Sequence, residues 1–441
     1  MLLKVDRMQY GIGQGGFHAQ QIRLTDLPEG VTVEPYRFVY DCGSDTGSST
    51  SKQKKPLHWA IEHFAENDNP QSIDKITVNT LYLSHFQNDH INGVKRLAEL
   101  VNLKEIVIPH LSKKQLAHLL AQQIVSGQLV ELTVETNTYL EILERAAGDG
   151  PILDGVSTIR IDPNADSPND ENPEATNNET SDLNAGKYTL DHNQQTTTWT
   201  HARSRLLHVM GPNNLGVATD LWELRVWSYA QNQSLTVAVN TELAKLKNNG
   251  NTALTNTLAG KIDLNELAWA INHRRQIQTA YEAALKSQGI SHSSDHNVVS
   301  LCLHSGPSDE TNLHSRYPTK QCFWDCLIGN EHNGSWLGTG DAMLGISAIW
   351  SNFCYHYRNQ TQKWHTVLMP HHGSGSGGNF NKKLCEASIR YAVFSAGATN
   401  KYKHPTRSVL EAVADAQVSN VVVTEYSTPG FFEHLTYSIN S

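Results

Sequence analysis

Residues 81–93, Leu-Tyr-Leu-Ser-His-Phe-Gln-Asn-Asp-His-Ile-Asn-Gly, limit the folds open to this chain more than any other stretch. An apolar run of strand length delivers His85, Gln87, Asp89 and His90, whose side chains carry metal-ligand atoms, and turns at Gly93 into the helical pattern of residues 94–101. Strand, polar loop and helix in that order make one unit of a layered α/β domain. Such domains place their sites just past the carboxyl ends of strands. His85 and Gln87 share a face if the extended chain persists, whereas the adjacent Asp89 and His90 reach different sides of the loop.

Four further strand patterns end in groups of the same kind. Residues 36–43 end in Asp41-Cys-Gly43, residues 335–339 lead into Gly338-Thr-Gly-Asp341, and residues 366–370 lead into His371-His372-Gly-Ser374. Residues 391–395 precede Gly397-Ala-Thr-Asn400-Lys-Tyr-Lys-His404-Pro405. Imidazoles and carboxylates in these places suit Zn2+ or Mn2+. A carboxylate that arrives late in the chain, such as Asp341, could bridge two such ions, which would clamp the attacking and leaving oxygens of a phosphodiester. Singly, each group has a plain structural explanation: His371-His372 can fill a core, and Gly-Thr-Gly-Asp is an ordinary turn. With 22 histidines in the chain a lone one carries little weight, so the shared position after strands is what groups these.

The rest of the chain fits one large interrupted domain. Residues 1–43 read as a β-meander whose glycine-rich turn, Gly11–Gly16, lacks the following helix and acidic residue of a dinucleotide fingerprint and reads as structural. Residues 56–66 and 116–124 have helical spacing, and 105–109 form a buried strand pattern. We divide the chain into a first half-fold (1–160), an acidic loop expected to be disordered (161–187), a strand plus helical insertion (188–294) and a second half-fold (295–441). Within the insertion, residues 264–285 read as one strong helix, and residues 233–289 offer a surface for a protein partner.

A net charge of −9 weighs against a nucleic-acid substrate until its distribution is seen. Residues 161–186 hold Asp162, Asp166, Asp170, Glu171, Glu174, Glu179 and Asp182 without a Lys or Arg, so the body of the protein is near neutral and charge decides nothing. The six cysteines are too scattered for a disulfide framework. Cys322-x-x-x-Cys326 with His332 is at most half of a zinc site, and reduced thiols are the better reading. No window approaches eighteen apolar residues and the start of the chain has no signal-peptide pattern, so a cytoplasmic protein with no membrane contact is expected.

Taken in order, these motifs resemble one branch of the metallo-β-lactamase superfamily, the hydrolase domain of ComEC-type DNA-uptake proteins and their stand-alone relatives. The resemblance rests on Gly13-Gln14-Gly15, Asp41-Cys-Gly43, the His85–His90 loop, Asn297-Val-Val-Ser300-Leu301, Thr339-Gly-Asp341, His371–Ser374 and Asn400-Lys-Tyr402-Lys-His404-Pro405. It covers about residues 1–110 and 295–430. It implies an α/β fold, an αββα sandwich with metals at the sheet edges. It also implies a Zn2+- or Mn2+-dependent phosphodiesterase or nuclease in which a metal-held hydroxide attacks phosphorus, with one or two ions per chain. By the same resemblance Asp89, His90, Asp341 and His371 hold one metal, Asp341 being shared, and His85 and Gln87 face the second. His404, His372 and Asp89 serve the chemistry, and Asn297, Ser374 and Asn400 line the substrate cleft. Two departures stand out: Gln87 replaces the second histidine of His-x-His-x-Asp-His, and Gly16 replaces an aspartate. The family's membrane channel is absent, so DNA import by this chain alone is not expected. A nucleic-acid-degrading effector of a bacterial defence system is an expectation from family context. A hydrolase of a cyclic nucleotide or ester, and a catalytically weak scaffold subunit, stand beside it.

Overall fold

Alternation along the strands sets the layering. In the strand Tyr36–Ser44, Phe38 and Tyr40 enter one apolar core while Val39 enters another. In Asn102–Pro109, Val107 faces the first core and Ile106 and Ile108 the second. A second sheet repeats the pattern: Leu301 and Leu303 join Phe38 and Tyr40 in the shared core, whereas Cys302, Val367 and Phe394 face away from it. Both sheets are therefore covered on both faces, as sheets with parallel strands require. The computed structural model describes residues 1–46, 55–67, 74–148, 150–162, 178–182, 201–202, 205–210, 220–229, 233–290, 300–308, 313–316, 334–361, 364–376, 378–387 and 389–439.

The first sheet runs in spatial order Leu313–Arg316, Gly430–Ile439, Leu2–Tyr10, Gly15–Thr25, Tyr36–Ser44, Thr77–Tyr82, Asn102–Pro109, Ser157–Ile161, His201–Ala202. It is antiparallel up to Tyr36–Ser44 and parallel beyond. The second runs Ser419–Val423, Tyr391–Ser395, Trp364–Leu368, Ser335–Gly338, Leu301–Pro307, Asp220–Ser228, Arg205–Met210, Asn178–Asp182. Its first four strands are parallel. The helices Pro56–Asn67, Val94–Leu100, Lys113–Ser126 and Val134–Ala147 cover the outer face of the first sheet, and Ser347–His356 and Arg407–Asp415 that of the second. The chain is α/β, with helices, two sheets and helices in four layers.

Three regions differ from their sequence pattern or escape it. Residues 264–285 form two helices, Leu264–Asn272 and Arg274–Ser287, because His273 leaves helical geometry (φ −108°, ψ 30°) and lays its ring on Trp269 at 4.4 Å and 16°. No Gly or Pro marks that break. The apolar faces of Arg274–Ser287 and of Gln233–Leu243 pack on Lys113–Ser126, where the His118 ring meets Thr236 Oγ1 at 3.1 Å and the Tyr281 hydroxyl at 3.3 Å. In the acidic stretch, Asn178–Asp182 is a strand paired in parallel with Arg205–Met210 at the sheet edge, because an open edge accepts any extended backbone. The rest of residues 163–187, together with Asn297, Cys322, Cys326 and His332, lies outside the described residues. Among the described residues no helix is long and apolar enough to cross a membrane, and Cys42, Cys302, Cys354 and Cys385 are free thiols.

Charged groups sit inside this core. Arg7 Nε donates to Glu433 Oε2 at 2.7 Å, Arg7 Nη2 to Oε1 at 3.1 Å and Arg7 Nη1 to the Gly334 carbonyl at 2.8 Å, tying the first strand to the last. His18 stacks on Trp336 at 4.1 Å and 11°. Burial, then the Arg7 charge, lowers its pKa to about 3, and burial followed by Arg225 and Arg358 does the same to His356. Both pKa values are depressed, so the stability they contribute is complete above the unfolded value of about 6.5 and is lost as pH falls toward 3. Each histidine steepens acid unfolding by up to about 1.4 kcal/mol per pH unit in that window. His18→Phe, which keeps the stack on Trp336, is expected to flatten the urea-unfolding profile between pH 6 and 4 by that amount; an unchanged slope contradicts the assignment.

Candidate metal centre

The ligand-bearing loops meet where the carboxyl ends of parallel strands in both sheets converge. Tyr36–Ser44 delivers Asp41 and Thr77–Tyr82 delivers the His85–His90 loop. Ser335–Gly338 leads into Asp341, Trp364–Leu368 into His371 and His372, and Tyr391–Ser395 into the loop of His404. Leu301 N–H donates to the Ser84 carbonyl at 2.7 Å, and His371 N–H to the Gly340 carbonyl at 2.9 Å, stitching loop to loop. Glycine permits this crowding at two points. A Cβ on Gly15 (φ 142°) would meet the Asp89 carbonyl oxygen at 2.6 Å, and one on Gly340 (φ 50°) would meet Ser84 Cβ at 2.5 Å. The Gly11–Gly16 turn is thus structural, as its sequence suggests.

Asp41 organises the first loop. Its Oδ1 accepts the Ser84 backbone N–H at 2.6 Å, and its Oδ2 accepts the Ser84 hydroxyl and His90 Nδ1–H, each at 2.8 Å. That bond uses one ring nitrogen of His90 and turns Nε2 toward the other ligands, the usual way a carboxylate orients a ligating imidazole. His372 is fixed likewise, because its Nδ1 lies 2.8 Å from the Ser395 carbonyl, which can only accept.

Four inward atoms now close a ring. His90 Nε2 lies 3.9 Å from Asp89 Oδ2 and 3.6 Å from Asp341 Oδ1, and His372 Nε2 lies 3.4 and 3.8 Å from the same two oxygens. A tetrahedral shell with bonds of about 2.0–2.2 Å has edges of roughly 3.3–3.6 Å, so these two nitrogens and two oxygens are within a few tenths of an ångström of one. A second group shares the other oxygen of Asp341. His85 Nε2 is 3.5 Å and His371 Nε2 3.7 Å from Asp341 Oδ2, and Gln87 Oε1 is 3.0 Å from His85 Nε2. His90 Nε2 and His372 Nε2 are buried and make no hydrogen bond to described protein atoms, as expected of atoms reserved for a cation. The residues fit one ion well and a second less well.

The electrostatics agree. Burial lowers the His90 pKa, but Asp41, then Asp89 and Asp341, outweigh it and raise it to about 10. Burial likewise opposes ionisation of Asp89, yet His90 and His372 hold its carboxyl at about 2. Asp341 is driven well below the carboxylate range against its burial, by His371 first and then His85, His90 and His372. Burial, then His90, lowers His85 to about 4, so its ring is neutral at neutral pH. The metal-free cluster thus retains a proton on His90 that an arriving cation must displace, so binding weakens in acid.

The six ligand candidates named from sequence lie together here, and so does His372, which sequence had placed in the chemistry and not among the ligands. His372, not His371, completes the Asp89–His90 group, and His371 stands on the Gln87 side. The reason is local: both residues adopt left-handed backbone (φ 49° and 54°), so the two rings diverge by 87°. Sequence spacing carries no sign of that. The buried Ser374 hydroxyl meets Ser376 Oγ at 3.0 Å and Asn379 Nδ2 at 3.2 Å, clasping its own loop. Asn400 braces the last loop, its Nδ2 donating to the Gly397 and His404 carbonyls at 2.6 and 2.7 Å and its Oδ1 accepting the His404 N–H at 2.8 Å. His404 lies 5.6 Å from His371, ring to ring. Sequence reading missed the part of Ser395, which acts through a carbonyl, and of Ser84 and Ser300, which hold Asp41 and the Asp341 N–H. Compared with known proteins, the chain matches no family model, and no curated protein matches it significantly.

Proposed function

We propose that the chain is a metal-dependent phosphodiesterase of the metallo-β-lactamase kind, with nucleic acid as its substrate. The observation that carries this reading is Asp341, whose Oδ1 faces His90 and His372 and whose Oδ2 faces His85 and His371, at the ends of parallel strands. That arrangement suits a phosphoryl group, whose non-bridging and leaving oxygens both need charge neutralised. Asp89, His90, His372 and Asp341 would hold one divalent cation, Zn2+ or Mn2+, and His85, Gln87, His371 and Asp341 a weaker second. A bound cation supplies Lewis-acid stabilisation of the developing charge and acidifies water.

The protein's own groups do the positioning. Asp41 and the Ser395 carbonyl fix the His90 and His372 rings, so little reorganisation accompanies substrate entry. Burial, then His371 and His372, lowers His404 to about 4, so in the free protein it is a neutral imidazole that can donate one ring N–H to a phosphate oxygen. The negative charge of a phosphodiester would raise that pKa toward the range in which the ring can protonate a leaving oxygen.

Incubation of the purified protein with single-stranded, linear duplex and plasmid DNA plus Mn2+ tests the reading. Cleavage that is lost in Asp89→Ala supports it; no cleavage of any nucleic acid, or cleavage that survives Asp89→Ala, sinks it. The weak second position makes its own prediction. An amide oxygen is a poorer donor to these metals than an imidazole nitrogen, so Gln87→His is expected to tighten binding of a second cation by about tenfold or more in a calorimetric titration. Unchanged stoichiometry and affinity would mean that Gln87 faces no metal.

A further inference from the structure

The loop that carries His404 presents an aromatic ring to solvent beside the metal cluster. Tyr402 is 39% exposed, and its ring lies nearly parallel to that of His404, at 12° with centroids 5.9 Å apart. His404 in turn sits 5.6 Å from His371, whose Nε2 is 3.7 Å from Asp341, so a continuous path of rings runs from the ligands to the surface. The loop is stiff, because Asn400 makes three hydrogen bonds across it and Lys403 takes a left-handed turn (φ 58°) that separates the outward Tyr402 from the inward His404. Lys401 and Lys403 are exposed, and the Lys401 ammonium lies over the Tyr402 ring, 4.8 Å from its centroid, a place it would yield to an incoming base on turning toward a phosphate. A second exposed ring adjoins this loop. Tyr426, 76% exposed, follows Glu425, whose carboxylate accepts the Ala398 N–H at 2.9 Å. The acids near the loop, Glu425 and Asp45, hydrogen-bond to Ala398 N and Asn88 Nδ2 respectively.

We infer that Tyr402 is a base-stacking platform and that the substrate is nucleic acid with unpaired bases at the cleavage point. This rests on the phosphodiesterase reading and adds which form of nucleic acid the site takes. A phosphate held at His371 and His404 leaves its own base one sugar away, where Tyr402 offers a flat face and Lys401 and Lys403 offer cations for the neighbouring phosphates. Stacking on an aromatic ring flanked by lysines is how sequence-tolerant single-strand binders hold their ligand. A paired base is already stacked within its duplex and has no face to give. Tyr426 would receive a further base along the same strand.

Fluorescence anisotropy of a labelled twelve-nucleotide single strand and of the matching duplex, measured in EDTA, separates binding from cleavage. Wild-type protein is expected to bind the single strand more tightly. Tyr402→Ala is expected to weaken that binding by about five- to hundredfold, with Tyr402→Phe close to wild type and duplex binding unchanged. Equal losses for Ala and Phe, equal losses on strand and duplex, or no loss at all would overturn the inference while leaving the phosphodiesterase reading intact. Absence of nucleic-acid binding and cleavage by the wild type would remove both. Thermal melting of both variants checks that each is folded.

Discussion

Asp341→Ala is expected to remove metal binding from both groups at once. Asp341 serves both groups, Oδ1 facing His90 and His372 and Oδ2 facing His85 and His371, and the side chain is 1% exposed. Metal analysis of protein purified without chelator should fall from at least one equivalent to background. Any phosphodiester cleavage should drop by about 10³-fold or more, since charge stabilisation by the metal is worth several kcal/mol. His371→Ala offers the contrast: it should spare the Asp89–His90–His372 ion and lower only the weaker occupancy. Equal metal loss in Asp41→Asn and Asp341→Ala would show that the two carboxylates do not differ in role as proposed. An orienting residue outside the coordination shell costs only about 10–100-fold in affinity.

The second large effect lies in the core. Arg7→Met or Glu433→Gln leaves one charge of a fully buried pair without its counterpart, and each is expected to destabilise the fold by about 3–5 kcal/mol. The double replacement by Met and Leu should recover most of that loss, because an apolar pair of similar volume fills the same space without the desolvation cost. Midpoints of urea unfolding measure all three. Single variants that unfold like the wild type would mean that the pair is not buried in solution.

How much of this was legible in the sequence differs by level. Strand ends with metal-ligand side chains predicted both the α/β layering and which loops would meet, since period-two burial and ligand chemistry are written into residues such as Val39 and Tyr40 or Asp89 and His90. The helix break at His273 was not legible, because it follows from a ring stacking on Trp269 and not from a Gly or Pro. Nor was the exchange between His371 and His372. Two consecutive left-handed residues set which ring faces Asp89, and nothing in the sequence spacing marks them. Asn400 and Ser374 looked like cleft residues by position, yet their polar atoms are engaged within their own loops.

The central claim is that one divalent cation binds among Asp89, His90, His372 and the shared Asp341. Anomalous diffraction from crystals grown with Mn2+ or Zn2+ tests it most directly. The account predicts a peak about 2.0–2.2 Å from Asp89 Oδ2, His90 Nε2, His372 Nε2 and Asp341 Oδ1, with a weaker one beside His85 and Gln87. No peak at the first position, or one coordinated by His371 in place of His372, would contradict it.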